Sequence, residues 1–324
     1  MDKIIQLIRE RQNFVLSGHT GPDGDCIGSC FGLAFALEML GKNVTVVLEP
    51  YPKKYNIIPG HGFLYSGDLT TLDVDVFIAL DCADVDRLGF AKPLFNRAKR
   101  TACIDHHKTN IGFAHRNLVE PGTSSTSEIV YRLVEKLVKP TAEIASAIYA
   151  GIVSDTGGFK YNSTATSTLE ITAKLMQMGI PFTEIYNEVL HKHTFAAGKA
   201  KGIVLNNSKQ TMEGRITYSH ITREEIESVG ASTADMEGNV EYLLTTNGTD
   251  VSAFIYEKKT PGQVKLSFRS LGPDVSNVAI AMGGGGHQLA AAGTTTGELN
   301  AIIQQALQLL EKEIMEYDRR TERL

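Results

Sequence analysis

Four clusters of aspartate and histidine in the first half of the chain carry side chains that bind metal ions. They are the loop His19–Asp25, the single residue Asp81, the triplet Asp105-His106-His107 and the single residue Asp155. Carboxylates and imidazoles without a thiolate suit hard or borderline divalent cations. The clusters contain enough ligands for two ions, which predicts metal-assisted attack on a phosphorus centre.

The first cluster combines one histidine and two aspartates in a short, glycine-containing loop. Its pattern is His19-x3-Asp23-x-Asp25. Asp23 and Asp25 are predicted to serve two different ions. Capping of the helix that follows would explain one aspartate. It does not explain the histidine together with both carboxylates.

The remaining clusters follow apolar or helical runs. Asp81 ends a mostly apolar run, where a buried charge is costly unless it meets a cation. It is therefore the expected ligand shared by two ions, with capping of a turn as the alternative. After Asp105, one imidazole is predicted to bind metal and the other to contact phosphate or transfer a proton. Asp155 alone is weak evidence for a metal ligand. It is included because the other clusters need one more carboxylate.

Alternating apolar and amphipathic segments predict the elements that position these clusters. Strands are expected at 13–17, 43–48, 74–80 and 100–104, and helices at 26–40, 125–138 and 141–153. Alternation of strands and helices predicts a doubly wound parallel sheet. Open α/β sheets bind ligands at the carboxyl ends of their strands, and the clusters follow those ends.

The pattern changes in the second half of the chain. Residues 167–210 are predicted to be almost wholly helical, followed by strands at 215–221, 251–257 and 263–268 and a final helix at 301–317. The predicted fold class is α/β, with a doubly wound N-terminal domain, a helical connector and a smaller α+β C-terminal domain with a mixed sheet. The predicted boundaries are 1–190 for the metal-binding domain, 191–210 for the linker and 211–324 for a substrate-binding domain.

One motif stands out in the second half. Four glycines precede His287 and are followed by a run of small residues that is predicted to form a helix. Glycines at a helix N-terminus expose backbone N–H groups to an anion. Arg269 ends a predicted strand nearby and is expected to grip a phosphate. The alternative is a tight turn that lets a helix pack closely on a sheet.

Composition limits the class of protein. The chain has 324 residues, 42% of them hydrophobic and 21% charged, with a formal net charge of −5. Without a basic field, long nucleic acid is not an expected partner. There is no apolar run of 18 residues, so no membrane partner is expected either. The four cysteines lie in apolar contexts, which favours buried thiols and a reducing, cytoplasmic location over a zinc site.

These motifs resemble those of the DHH phosphoesterase superfamily, which is named for the triplet seen here as Asp105-His106-His107. The first motif, extended to Ile27-Gly28-Ser29, is highly specific, and Gly283–His287 resembles the glycine-rich motif of the DHH-associated C-terminal domain. Together they cover nearly the whole chain. Within the superfamily the chain looks most like the bacterial nanoRNases that also act as 3′-phosphoadenosine 5′-phosphate phosphatases.

The resemblance implies two Mn²⁺ ions per chain, which Mg²⁺ or Co²⁺ could replace, and an active site between the two domains. It implies one ion held by His19, Asp23 and Asp81. It implies a second ion held by Asp25, Asp81, His106 and Asp155. The implied catalytic residues are Asp81, Asp105, His106 and His107. The implied substrate-binding residues are His107, Arg269, Gly284, Gly285, Gly286 and His287.

The expected function is hydrolysis of short RNA to 5′-mononucleotides and removal of the 3′-phosphate of 3′-phosphoadenosine 5′-phosphate. A soluble phosphodiesterase for cyclic or linear dinucleotides is an alternative within the same class. A nucleotide sensor without turnover is an alternative from another class, although it predicts the loss of a metal ligand and all the expected ones are present. Substrate preference, native metal and oligomeric state stay open, with a homodimer as one option.

Overall fold

The computed structural model of the chain describes residues 1–321 and divides into two compact units. The first unit is Met1–Lys192, and the second begins at His193. Each unit has its own sheet and its own hydrophobic core.

The sheet of the first unit consists of five parallel strands. They are β1 Asn13–Ser17, β2 Asn43–Val46, β3 Val76–Leu80, β4 Arg100–Asp105 and β5 Arg116–Val119. Their order across the sheet is β2-β1-β3-β4-β5. The chain moves outward from β1 in one direction and then from β3 in the other. The gap between the carboxyl ends of β1 and β3 is therefore the switch point at which doubly wound sheets bind ligands.

Seven helices surround this sheet. They are α1 Asp2–Glu10, α2 Gly24–Met39, α3 Lys92–Arg97, α4 Thr126–Glu135, α5 Ala142–Asp155, α6 Thr166–Gln177 and α7 Phe182–Leu190. Two of them, α2 and α5, are apolar on nearly every side, and both are buried. They pack closely because glycines line their contact: Gly28 faces the backbone of α5, and Gly32 faces Ile148.

The second unit is a six-stranded mixed sheet with helices. Its strands are β6 Lys209–Thr211, β7 Ile216–Ile221, β8 Val251–Glu257, β9 Gln263–Ser270, β10 Gly285–His287 and β11 Ala290–Thr296. Its helices are α8 Phe195–Asn206, α9 Arg223–Ser228, α10 Asn239–Leu244, α11 Val275–Ala281 and α12 Leu299–Thr321. The order is β10-β11-β9-β8-β7-β6. Within this second sheet, β7 and β8 are parallel, and the other strand pairs of the described residues are antiparallel.

The predicted fold class is confirmed, but the element predicted after the glycine run is wrong. The small residues after the glycine run form strand β11 rather than a helix, and Gly285–His287 pairs with it as β10. Alanine favours a helix in isolation. Here the run pairs along its whole length with β9, and three threonines complete the strand. Strand pairing therefore overrides local propensity, and the glycines do not lie at a helix N-terminus.

Two further observations concern the environment of the chain. No helix among residues 1–321 is both long and apolar enough to cross a membrane. All four cysteines are free and buried. Burial raises the pKa of the Cys82 thiol to about 12. The thiols therefore pack as small apolar groups.

The close contact between α2 and α5 predicts that Gly28→Ala destabilises the first unit. The added Cβ would overlap the carbonyl oxygen of Ala147 and lie 3.0 Å from the amide nitrogen of Gly151. Because both atoms belong to backbone, the helices must separate, at a cost of about 1–3 kcal/mol. Chemical unfolding followed by circular dichroism measures this. Gly62→Ala is the matched control, since no atom lies within 4 Å of its added Cβ. An unchanged stability for Gly28→Ala would contradict the packing argument.

Candidate metal centre

The aspartates and histidines of the sequence motifs meet at the carboxyl edge of the parallel sheet. His19 follows β1, Asp81 follows β3 directly, and Asp105 ends β4. The register pairs Ser17 with Ala79 and Leu80 with Ile104, so the three strands end at the same level. The switch point between β1 and β3 is thus lined by side chains that bind cations.

Asp81 has the most constrained backbone in this group. Its φ is +53°, in the left-handed region that few residues other than glycine adopt. Its N–H donates to the carbonyl of Ile104 at 3.0 Å, which ties the turn to the neighbouring strand. The residue is buried. Unusual backbone angles at a buried charged residue occur typically where function requires one direction of the side chain.

Three groups of donor atoms are close enough to hold cations. Within each group the atoms lie within 4.8 Å of one another. The groups are His19, Asp23 and Asp81; Asp25, His106 and Asp155; and Asp81, His106 and His107. Asp81 and His106 each belong to two groups. All six residues that the sequence predicts as metal ligands are brought together, and Asp81 is the carboxylate between the two sides of the cluster.

Hydrogen bonds fix which ring nitrogen of each histidine faces the cluster. Nδ1 of His19 lies 3.0 Å from the Thr20 carbonyl oxygen, and Nδ1 of His106 lies 3.2 Å from the Thr123 carbonyl oxygen. A carbonyl only accepts, so Nδ1 carries the proton in both rings. Nε2 is left as the ligating atom. Nε2 of His19 is 3.5 Å from Asp81, and Nε2 of His106 is 3.3 Å from Asp155.

The aspartates of the first loop have separate roles in the structure. Asp23 is the N-cap of α2, since its Oδ1 accepts from the N–H groups of Asp25 and Cys26. The same oxygen lies 3.8 Å from Nε2 of His19. Asp25 is fully buried, and its two oxygens accept from the N–H groups of Thr126 and Ser127 at 2.7 and 2.8 Å. Asp23 therefore caps the helix and also lies close to the donor cluster.

The first turn of α4 is a part of the centre that the sequence reasoning missed. Its N–H groups hold Asp25, and the hydroxyl of Thr126 donates to Asp81 at 3.1 Å. The positive end of a helix stabilises an anion at its N-terminus. The only signal in the sequence is a run of hydroxyl residues, Thr123-Ser124-Ser125-Thr126-Ser127. Such a run is equally typical of an ordinary helix cap.

The protonation equilibria reflect crowding of buried carboxylates. Burial raises the pKa of Asp25 well above its ordinary value, and the charges of Asp81 and Asp155 raise it further. Burial also raises the pKa of Asp155 to about 7, although His106 opposes this. For His19, burial lowers the pKa, but contacts with Asp23 and Asp81 outweigh it and raise the pKa to about 11. Bound protons thus relieve a repulsion that divalent cations would relieve more fully, so the donor set fits metal ions.

Beside the cluster, His107 is held by a buried carboxylate. Its Nδ1 lies 2.7 Å from Oδ1 of Asp105, and this contact raises the pKa of His107 above its ordinary value. The side-chain amide of Asn110 donates to the other oxygen of Asp105 at 2.7 Å and to the Cys82 carbonyl at 3.1 Å. Sequence reasoning missed Asn110. The arrangement fixes the ring and leaves Nε2 for another partner.

The predicted substrate residues belong to the second unit. Register pairs His287 with Ala290 and Ala290 with Arg269, so the three form one row across β10, β11 and β9. Paired residues point to the same face of a sheet, and alanine between them leaves space above the strand. Arg269 also forms an ion pair of 2.7 Å with Glu241. Of the glycines, Gly285 and Gly286 lie in β10, and Gly284 precedes it.

Comparison with known proteins assigns the family. The DHH family, N-terminal domain matches residues 13–152, and the DHHA1 domain matches residues 215–316. The chain is 32% identical over 304 residues to the bifunctional oligoribonuclease and PAP phosphatase NrnA of Thermus thermophilus, with 92% of this chain and 89% of that protein covered. The chain belongs to the DHH family. Its identification from sequence motifs as a DHH phosphoesterase is thereby confirmed.

Other known proteins also match nearly the whole chain. The cyclic-di-AMP phosphodiesterase GdpP of Bacillus subtilis is 26% identical over an alignment of 344 positions, which covers 96% of this chain and 49% of that protein. The crystal structure of an exopolyphosphatase-related protein from Bacteroides fragilis superposes with a TM-score of 0.87 at 28% identity and covers 96% of this chain and 95% of that one. The likeness to DHH proteins thus extends over nearly the whole length.

The raised pKa values predict that cation binding releases protons. Below pH 7 both His19 and Asp155 carry a proton in the metal-free protein, and a cation must displace it to reach the ligand atom. Affinity for Mn²⁺ should therefore rise from pH 6 to pH 8. Calorimetric titration with Mn²⁺ at pH 6.5 is done in two buffers with different ionisation enthalpies. The difference between the two binding heats, divided by the difference in ionisation enthalpy, should give at least one proton released per chain. Identical heats in both buffers would contradict this account of the cluster.

Proposed function

We propose that this chain is a metal-dependent phosphoesterase that hydrolyses short RNA oligonucleotides to 5′-mononucleotides and removes the 3′-phosphate of 3′-phosphoadenosine 5′-phosphate. The observation that carries the proposal is the buried donor cluster centred on Asp81, at the switch point of the sheet. The choice of substrate is supported by the relative named oligoribonuclease and PAP phosphatase, which matches 92% of the chain.

The cofactor in this proposal is a pair of Mn²⁺ ions. One would be held by His19, Asp23 and Asp81, and the other by Asp25, Asp81, His106 and Asp155. Two of the donor groups support this division, His19 with Asp23 and Asp81 and Asp25 with His106 and Asp155, while Asp81 shares its second group with His106 and His107. Nitrogen and oxygen donors without thiolate suit Mn²⁺, Mg²⁺ or Co²⁺. When bound, such ions neutralise charge on phosphoryl oxygens and acidify a water molecule at neutral pH.

The chain's own residues orient the reacting phosphate. We assign to His107 the contact with a phosphoryl oxygen, because Asp105 holds its Nδ1 and leaves Nε2 as the outward donor. The raised pKa of His107 favours the imidazolium, which donates a charge-assisted hydrogen bond to an anionic oxygen. Asp105 acts through His107, and Asn110 keeps the carboxylate in position.

In this proposal the second unit binds the substrate. Arg269 and His287 flank Ala290 in one row, which suits a phosphate held from two sides. Gly285 and Gly286 would bring backbone N–H groups to the same anion, whereas the N–H of Gly284 already donates to the carbonyl of Ala279 at 2.8 Å. In this proposal the metal-binding domain spans 1–190, a linker spans 191–210, and the substrate-binding domain spans 211–324.

Short substrates are favoured by the charge of the protein. The net charge is −5, and few cations flank the proposed site, so phosphates beyond the first few add little binding energy. We therefore propose short RNA and 3′-phosphoadenosine 5′-phosphate as partners, with neither long nucleic acid nor membrane. A cytoplasmic location is in keeping with four free thiols.

A product assay tests the proposal. Purified protein with Mn²⁺ is given a dinucleotide, a five-nucleotide RNA, a long RNA, 3′-phosphoadenosine 5′-phosphate and cyclic di-AMP at fixed salt. We expect 5′-mononucleotides from RNAs of about two to five nucleotides, phosphate from 3′-phosphoadenosine 5′-phosphate, and no activity in excess chelator.

Three results of this assay would contradict the proposal. A rate that climbs steadily with RNA length would indicate an exonuclease for long strands. Preferred hydrolysis of cyclic di-AMP would favour the dinucleotide phosphodiesterase, an alternative supported by the match to GdpP over 96% of the chain. Binding without turnover of any substrate would indicate a nucleotide sensor.

The row in the second unit predicts that Arg269→Ala and His287→Ala each raise KM. Loss of a charge-assisted contact costs roughly 1.5–3 kcal/mol, or about 10- to 150-fold in kcat/KM. Binding of Mn²⁺ should be unchanged, because no predicted metal ligand lies on these strands. Steady-state kinetics on a dinucleotide measures the effect. Lys265→Ala, which removes a cation from the same strand, is the matched control. Wild-type kinetics in both variants would indicate that Arg269 and His287 contribute to packing and not to substrate binding.

A further inference from the structure

A cavity at the opposite edge of the first sheet is lined by basic side chains. Its volume is about 280 Å³. Arg100 and Arg116 are the first residues of β4 and β5, so the cavity lies at the amino ends of the strands. Asp105 ends the same strand β4, roughly 17 Å away at the rise of an extended chain. The cavity is therefore separate from the metal centre. Its lining is Lys3, Gln6, Leu7, Glu10, Arg11, Arg100, Thr101, His115 and Arg116.

The fold brings these side chains onto one face. Arg116 pairs with Ala102 in the parallel ladder, and Arg100 lies two residues before Ala102, so both arginines point to the same side of the sheet. Ala102 packs in the core cluster that also contains the apolar face of α1. The lining residues of α1 occupy positions i, i+3, i+4 and i+7, which is one stripe of a helix. Helix α1 and the two strands thus form the walls of the cavity.

The cations in the cavity lack strong counter-ions. Among residues 1–321, neither Lys3 nor the two strand arginines pair with a carboxylate. One guanidinium N–H of Arg100 donates to the Lys99 carbonyl, and one of Arg116 donates to the His115 carbonyl, so most of their N–H groups are available. Arg11 meets Asp75 only at 3.5 Å. In a chain whose net charge is −5, this is a local concentration of positive charge.

An imidazole in the lining has a fixed orientation. The N–H of Thr101 donates to Nδ1 of His115 at 3.1 Å, so the proton of the neutral ring is on Nε2. The N–H of His115 in turn donates to the hydroxyl of Thr101 at 3.0 Å. These two bonds fasten the loop before β5 to β4. The ring therefore adds an N–H donor of fixed direction to the guanidinium groups beside it.

We propose that this cavity is a second anion site, which binds a diphosphate group. The lining contains four cations, Lys3, Arg11, Arg100 and Arg116, against one carboxylate, Glu10, and Glu10 accepts a hydrogen bond from Gln6. Such an excess suits an anion with more than two charges, and each guanidinium fork matches one phosphoryl group. The small volume favours a compact ion. Inorganic pyrophosphate and the terminal phosphates of a nucleoside triphosphate share this chemistry.

Calorimetric titration of the full-length chain with pyrophosphate tests the proposal. The titration is done in chelator, so that no cation at the metal centre can hold phosphate. We expect one ion per chain, and at least tenfold weaker binding by an Arg100→Ala, Arg116→Ala double variant. A Lys258→Ala, Lys259→Ala variant removes the same charge from the exposed turn between β8 and β9 and should bind normally. Both variants should keep the phosphoesterase activity of the unmodified chain.

Further titrations show which diphosphate compound the cavity prefers and test whether any anion would bind there. Tighter binding of a nucleoside triphosphate than of pyrophosphate would assign the site to a nucleotide, and the reverse would assign it to the inorganic ion. Sulfate should bind at least tenfold more weakly than pyrophosphate. If the double variant fails to fold, Arg100→Lys with Arg116→Lys keeps the charge, loses the forks and should still weaken binding. Absence of binding to the unmodified chain, equal affinity for sulfate, or no loss in either arginine variant would overturn the proposal.

Discussion

The structure of the first unit is organised around crowded carboxylates that repel one another, with Asp25 and Asp81 buried and Asp155 half-buried. Asp25, Asp81 and Asp155 lie close enough that the charges of two of them raise the pKa of the first. Unpaired charges at such depth are costly, so the cluster persists only because other interactions hold it. The proposed function follows from this constraint: a site whose crowded carboxylates are relieved only by bound protons and imidazoles fits metal ions.

The surrounding fold supplies those interactions. The N–H groups of Thr126 and Ser127 hold Asp25, and the carbonyls of Thr20 and Thr123 select the ring nitrogen that His19 and His106 present. Asp25 lies in the first turn of α2, and Asp155 is the last residue of α5. Close packing of the two helices through glycine brings these aspartates near each other. Burial, capping and packing are thus all part of one arrangement of donor atoms.

The sequence predicted the fold class and which candidate donor residues would lie together, because both depend on strong local patterns. Apolar strands ending in charged residues specify where a parallel sheet places its ligands. Short edge strands such as β5 and β6 were missed, since each has only three or four residues and little apolar character. The helix expected after the glycine run was wrong because pairing with β9 decides the conformation there. Thr126 was not found, since its partner Asp81 is distant in sequence. Asn110 was not found because no local pattern shows that its loop folds back onto Asp105.

The number of bound ions tests the central claim most directly. Chain freed of metal is titrated with Mn²⁺, and free Mn²⁺ is measured by electron paramagnetic resonance. The account predicts two ions per chain for the unmodified protein and fewer than one for Asp81→Asn, because Asp81 lies between the two donor groups. Asp84→Asn, in the same segment but outside those groups, should still bind two. Two ions bound by Asp81→Asn, or none by the unmodified chain, would contradict the account.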